Sequence, residues 1–389
     1  LHTIMTLRGA IFATGIRRLG EPGTGFRYEY TDGRPVAEAD AKRIAALRIP
    51  PAWTEVAVAR SARGKVQAVG RDAAGRWQYL YLRAHSAKRS RAKYDRLVSF
   101  GEALPSLRRA LERDLRRPGF PLERVSACAI ALLSTCFLRP GSQVYADVNG
   151  SFGLSTLRKR HVTVDGNTIR FDYRGKHGKR QRHEVRSRRL AELVRAMKAR
   201  PGNEVFKYED DRGIVRDLSR AQINAYIKRA MGTGFSARDF RTWAGTLLCA
   251  GALSHAAVAE RQWEAGHPKR KAGVTRNRVK KAIAGAVRET SNWLGNTPAM
   301  SRRSYIHPAV LHAYQRGEVV RHALERPEVL IASGRAGLDR SEWELLLLLR
   351  REGTPQRARA TTARRRSEPA AGPAPPLVIA TGRNVEKAA

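Results

Sequence analysis

The first 85 residues alternate apolar and polar positions in short runs broken by turns. F-R-Y-E-Y (26–30), W-T-E-V-A-V-A (53–59) and K-V-Q-A-V-G (65–70) carry partial period-two alternation and predict strands. Breakers G-T-G (23–25), D-G (32–33) and G-R-D (70–72) separate them. Residues 37–47 predict a short helix that stops before Pro50 and Pro51. W-Q-Y-L-Y-L-R (77–83) predicts a further strand, with Tyr79 and Tyr81 on one face and Arg76 and Arg83 as flanks.

From His85 onward the apolar spacing changes to three and four. Helices are predicted over 92–103, 107–117 and 121–138, the last buried and stopped by R-P-G (139–141). H-V-T-V-D-G-N-T-I-R-F-D-Y (161–173) alternates around Asp165, Gly166 and Asn167, which predicts a β-hairpin. A second turn, R-G-K-H-G-K (174–179), puts Lys176 at a hairpin tip. Further helices are predicted over 190–199, 222–231, 237–250 and 278–294, with a basic loop at 269–276. Arg238 and Arg241 are three apart and share a helix face. Residues 341–350 predict a short helix capped by Ser341. The tail beyond it, with T-P-Q-R-A-R-A-T-T-A-R-R-R and G-P-A-P-P, has a disordered composition. The pattern predicts an α+β chain: a β-rich domain at 1–90, a mostly α-helical domain with a β-hairpin at 91–325, and a basic, largely disordered extension at 326–389.

Length supports more than one core, since the chain has 389 residues. No apolar run approaches the roughly 20 residues of a membrane span, and the N-terminal stretch lacks the pattern of a signal peptide. The expectation is a cytoplasmic protein without membrane contact. Cys128, Cys136 and Cys249 are isolated in apolar context and read as reduced core thiols. No Cys/His spacing fits zinc, no Walker-type loop is present, and no carboxylate cluster stands out for a two-metal nuclease.

Charge changes the picture most. Lys and Arg number 74 against 35 Asp and Glu, a net charge of +39. The residues from Arg351 onward carry only a small part of it, so the folded regions are themselves strongly basic. A polyanionic partner follows, nucleic acid first. Charge alone also fits a non-enzymatic nucleoid protein.

Chemistry separates those readings. Arg139, Lys176, Arg241, Asn296 and Tyr305 combine forked cations, an amide, a lysine and a phenol. Metal-free phosphoryl transfer needs such a set. Forked arginines suit the charge on nonbridging oxygens, an amide adds a donor, lysine protonates a leaving oxygen, and tyrosine forms the covalent link.

Over roughly residues 15–317 the sequence resembles the type IB DNA topoisomerases of the bacterial and poxvirus-like branch. The resemblance rests on N-G-S-F-G-L-S-T-L-R-K-R-H-V (149–162), R-G-K-H-G-K (174–179), D-F-R-T-W-A-G-T (239–246) and G-N-T-P-A-M-S-R-R-S-Y-I-H-P (295–308). I-P-P-A-W-T (49–54) and A-K-Y-D-R-L (92–97) add to it. It implies that Tyr305 is the nucleophile of a 3′-phosphotyrosyl intermediate. It implies that Arg139 and Arg241 stabilise the transition state and that Lys176 is the general acid. Asn296 stands where many relatives have histidine, and Arg238 where a basic residue assists. Gln78, Tyr79, Tyr81 and Tyr145 match DNA-contacting positions. The implied fold closes around double-stranded DNA as a C-shaped clamp, without cofactor or metal, and monomer is the default state. Two positions depart from the pattern: Pro140, where an aliphatic residue is expected, and Val148, where an acidic one is. Tyrosine recombinases share this chemistry but usually carry His-x-x-Arg, whereas Arg238 stands three before Arg241 here.

Overall fold

The computed structural model describes residues 7–73, 75–266, 276–323, 336–353 and 379–381. The basic stretch 269–275 and most of the tail expected to be disordered lie outside the described residues. The chain packs as two units, Leu1–Lys93 with Ala360–Ala389, and Tyr94–Arg359.

The first unit holds α1 (Leu7–Thr14), β1 (Ile16–Glu21), β2 (Gly25–Tyr30), α2 (Glu38–Leu47), β3 (Thr54–Val58), β4 (Val66–Arg71) and β5 (Trp77–Tyr81). The strands form an antiparallel sheet. Its order is β2-β1-β3-β4-β5, extended past β5 by residues 379–381. Ile16, Val56, Val58, Ala68 and Leu80 bury one face with Ile44 and Leu47 of α2. Ala57, Val66 and Val69 bury the other with Ile11 of α1, and Phe12, Tyr79 and Tyr81 pack against them. Covering both faces is why these strands read only as partial alternation. The alternation was too weak to show α1 and β1.

The second unit starts within α3 (Arg83–Leu115), which runs unbroken through Pro105 where two helices were expected. Phe100, Leu104 and Leu107 are buried on both sides of the proline, and this packing holds the helix across the missing hydrogen bond. There follow α4 (Leu122–Cys136), α5 (Gln143–Asn149), β6 (Val162–Asp165), β7 (Thr168–Arg174), β8 (Arg180–Arg186) and α6 (Arg188–Ala199). β6, β7 and β8 form an antiparallel sheet, with Gly166 at φ 51° in the first turn as its D-G-N sequence requires. Two short strands, β9 (Lys207–Glu209) and β10 (Val215–Asp217), precede α7 (Arg220–Met231), α8 (Ala237–Gly266), α9 (Arg276–Trp293), α10 (Pro298–Ser304) and α11 (Pro308–Gln315).

α4 is buried nearly all round, including Val125, Ile130, Leu132 and Leu133, so it forms the centre of the unit. α8 is much longer than the predicted 237–250. By length and composition alone its stretch 237–263 would suffice to cross a membrane. Here Phe240, Trp243, Leu247, Cys249 and Leu253 are packed into the core.

The C-terminal region departs from expectation. Helix α12 (Arg340–Gly353) belongs to the second unit, with Leu345, Leu346, Leu348 and Leu349 in its core. The unit therefore continues past 325. Asp339, not Ser341, caps the helix: its carboxylate accepts from the Ser341 N–H at 2.9 Å and the Ser341 hydroxyl at 2.7 Å. A carboxylate accepts two such donors, and at this end it also faces the helix dipole favourably.

Glu342 fastens α12 from inside. It is 1% exposed, accepts from Arg108 at 2.8 Å and from the Trp243 indole N–H at 3.2 Å. Removing one partner of a buried pair strands the other charge. Glu342→Ala is expected to lower unfolding free energy by about 3–5 kcal/mol, read from the urea midpoint. A loss below about 1 kcal/mol would place the pair with ordinary surface bridges.

Candidate active site

The site is assembled from four places in the second unit. α4 ends at Phe137, which takes the left-handed conformation at φ 52°. The chain then turns away with Arg139 at the edge of the core. The Arg139 carbonyl accepts from the Leu154 N–H at 2.8 Å and the Pro140 carbonyl from the Ser155 N–H at 2.9 Å. Gly153 leaves room for the close approach of this backbone.

α8 brings Arg241, which is 4% exposed. Its Nη1 donates to the Phe137 carbonyl and its Nη2 to the Leu294 carbonyl, the latter at 2.6 Å. The guanidinium therefore ties the ends of α4 and α9 together. Its Nε is buried and makes no hydrogen bond among the described residues.

α9 ends in a left-handed Gly295 at φ 58°, and the Asn296 N–H returns to the Ser291 carbonyl at 2.9 Å. This turn presents the Asn296 side chain. Arg139 Nη2 donates to Asn296 Oδ1 at 2.6 Å. A guanidinium only donates, so this contact settles which end of the amide faces it. Asn296 Nδ2 is buried, without a hydrogen-bond partner among the described residues.

Tyr305 sits between α10 and α11. Thr297 caps α10 with Pro298 at its first position, and His307 caps α11 with Pro308 likewise. Half-buried Tyr305 packs against Phe137, Ala244, Leu248 and Leu294. The Arg241 guanidinium lies 5.2 Å from its ring centroid. Burial acts to raise the pKa of the phenol. The charges of Arg241, Arg238 and Arg139, with a hydrogen bond from Arg241, outweigh burial and hold it below its ordinary value.

Lys176 is exposed in the short turn Lys176–Gly178 between β7 and β8. The base of this hairpin adjoins the site, because Gln181 of β8 packs where a Gly295 side chain would lie. His183 follows on β8. Burial, then the charges of Arg241 and Arg139, push its pKa down to about 4, so it is neutral at pH 7. Phe137, Gln181, His183, Asn292, Trp293 and Gly295 line a cavity of 630 Å³ beside the site.

Of the sequence-predicted residues, Arg139, Arg241, Asn296 and Tyr305 come together, and Lys176 is carried on the hairpin as expected. Arg238 is exposed on α8. Tyr145 is half-buried on α5, and Val148 on the same helix is 75% exposed. In the first unit Tyr79 and Tyr81 are half-buried with ring centroids 6.4 Å apart. Gln78 lies on the covered face of the sheet. It is 2% exposed, and its Nε2 donates to Asp72 at 2.8 Å. Strand alternation puts Gln78 on the face of Leu80, opposite the two tyrosines. Sequence reading missed Gly245 and Thr246, which contact the Tyr305 backbone. Only Gly245, four residues from Arg241, gave a signal in its spacing.

Arg238 gives a pH test. With Tyr305 as the attacking group proposed below, Arg238→Ala removes a cation that favours its phenolate, so its pKa should rise and the fraction ready to react at neutral pH should fall. The rate-against-pH curve should move to the alkaline side. Because Arg238 is exposed and screened, the loss at pH 7 should stay below about tenfold. A uniform loss at all pH values would assign Arg238 to binding alone.

A phenol, three guanidiniums and a buried amide together have the chemistry to bind an anionic group and attack it. Residues 83–325 match the family described as eukaryotic DNA topoisomerase I, catalytic core, and residues 25–72 match bacterial DNA topoisomerase IB, N-terminal domain. DNA topoisomerase 1B of Acanthamoeba polyphaga mimivirus is 33% identical over 298 residues, covering 75% of this chain and 85% of the relative. DNA topoisomerase I of monkeypox virus is 24% identical over 275 residues, 68% of this chain and 79% of the relative. DNA topoisomerase 1B of vaccinia virus is 23% identical over the same length and shares. The chain belongs to the type IB DNA topoisomerase family.

Proposed function

We propose that this protein relaxes supercoiled double-stranded DNA by cutting and rejoining one strand through a 3′-phosphotyrosyl bond to Tyr305. The tyrosine oxygen attacks phosphorus and gives its proton to solvent, and the P–O5′ bond breaks. Lys176 protonates the departing 5′-oxygen. Rejoining reverses each step. One phosphodiester replaces another, so no ATP is required, and the cations of the site do the work of a metal. Arg139 and Arg241 balance charge on the nonbridging oxygens. Asn296 adds a neutral hydrogen bond. The observation that carries this reading is the meeting of Tyr305 with Arg241 in a site where two buried donors, Asn296 Nδ2 and Arg241 Nε, have no hydrogen-bond partner among the described residues. Unpaired buried donors are costly, and phosphate oxygens are acceptors of the right charge.

DNA as substrate also follows from the net charge of +39 and from the names of the relatives. Tyr79, Tyr81 and Tyr145 are proposed to line the DNA path. The protein works as a monomer in the cytoplasm, on the nucleoid. Plasmid relaxation in EDTA without ATP tests the proposal. Relaxation of both positive and negative supercoils is expected. A requirement for metal or ATP, or compaction without relaxation, would overturn it.

A further inference from the structure

Thr246 follows the site residues on α8 and is fully buried. Its Oγ1 accepts from the His307 N–H at 3.1 Å. Its hydroxyl lies 2.7 Å from the Thr242 carbonyl and 3.2 Å from the Tyr305 carbonyl, so its one hydrogen faces two acceptors. Bonding to the carbonyl four residues back is common for a helical threonine. That habit accounts for Thr242 but not for His307, which lies on another element.

Gly245 completes the arrangement. A Cβ there would stand 2.8 Å from the Tyr305 carbonyl oxygen and 3.0 Å from the Tyr305 Cβ. The missing side chain lets the Tyr305 backbone lie against α8. On its other side Tyr305 is held by its own N–H, which donates to the Ser301 carbonyl at 2.9 Å. The residue itself, at φ −132° and ψ −14°, belongs to neither flanking helix. Its place is therefore set by these contacts and by ring packing.

We infer that Thr246, with the space left by Gly245, is a positioning residue that holds the backbone of Tyr305 for in-line attack, in register with Arg241 on the same helix. This rests on Tyr305 as the nucleophile. α8 carries both the charge that lowers the phenol pKa and the hydroxyl that fixes the chain below the phenol. A rigid helix thus sets the distance between nucleophile and cation. Displacing a reacting group by an ångström costs up to about a hundredfold in rate.

The test uses the full-length chain and single-turnover cleavage of a short duplex, with a second duplex whose leaving 5′-oxygen is sulfur. Thr246→Val keeps the shape and removes the hydroxyl. It should slow adduct formation by about ten- to a hundredfold with duplex affinity unchanged. Religation should slow equally, leaving the equilibrium adduct fraction unchanged. The slowing should persist on the sulfur duplex, because a thiolate needs little protonation and the defect lies with the nucleophile. Thr246→Ser should restore the rate. Gly245→Ala should reproduce the defect, and it carries the test if Thr246→Val does not fold. Wild-type cleavage rates in Thr246→Val, or in Gly245→Ala where it replaces it, overturn the inference, as does a Ser variant as slow as Val. Tyr305→Phe runs alongside: if it still forms adduct, the proposed function has failed instead.

Discussion

Tyr305→Phe is expected to abolish the covalent DNA adduct and plasmid relaxation while leaving DNA binding intact. The change removes one oxygen. The ring keeps its packing against Phe137, Ala244, Leu248 and Leu294 and its place under the Arg241 guanidinium, so the fold should survive with little loss. Arg139, Arg238 and Arg241 hold the Tyr305 phenol below its ordinary pKa. Tyr173 shows the opposite balance nearby: it is 4% exposed, and burial raises its pKa despite the same two inner arginines. Binding depends instead on net charge and should weaken steeply with salt, as counterion release requires. Residual relaxation by the variant would show that another group attacks the phosphodiester.

Arg241→Ala is expected to lower the cleavage rate by about 10²–10³-fold, the usual cost of one preorganised donor at a developing charge. Two losses combine. The transition state loses a forked cation, and the Tyr305 phenol loses its largest single charge partner, so its pKa rises. Raising the pH should recover only the second loss. Arg241→Lys should rescue little. An ammonium cannot hold the Phe137 and Leu294 carbonyls and face a phosphate in a planar fork. Both variants free two buried carbonyls, so thermal melting must accompany the kinetics. A folded Ala variant within about tenfold of wild type would remove Arg241 from the transition state.

The hairpin that carries Lys176 was legible because its signals are local. D-G-N dictates the first turn and strict alternation dictates the faces of β7. The inward turn of Gln78 follows from the same alternation. α12 was read as a short helix followed by a loose tail, because its leucines reveal nothing about partners lying far earlier in the chain. Gly101 shows the dependence: a Cβ there would strike the Trp243 ring and approach Leu346 of α12. The site itself was legible as a set of residue types in family order. That Asn296 spends its oxygen on Arg139, and that Thr246 reaches His307, are facts of tertiary contact. No spacing in the sequence encodes them.

Tyr305 is expected to carry the DNA. A duplex cleavage reaction stopped with detergent, digested with protease and analysed by mass spectrometry identifies the modified peptide directly. One nucleotide-bearing peptide is expected, modified at Tyr305 through a 3′-phosphate, with a free 5′-hydroxyl on the released strand. Modification at any other residue, or attachment to a 5′-phosphate, would contradict it.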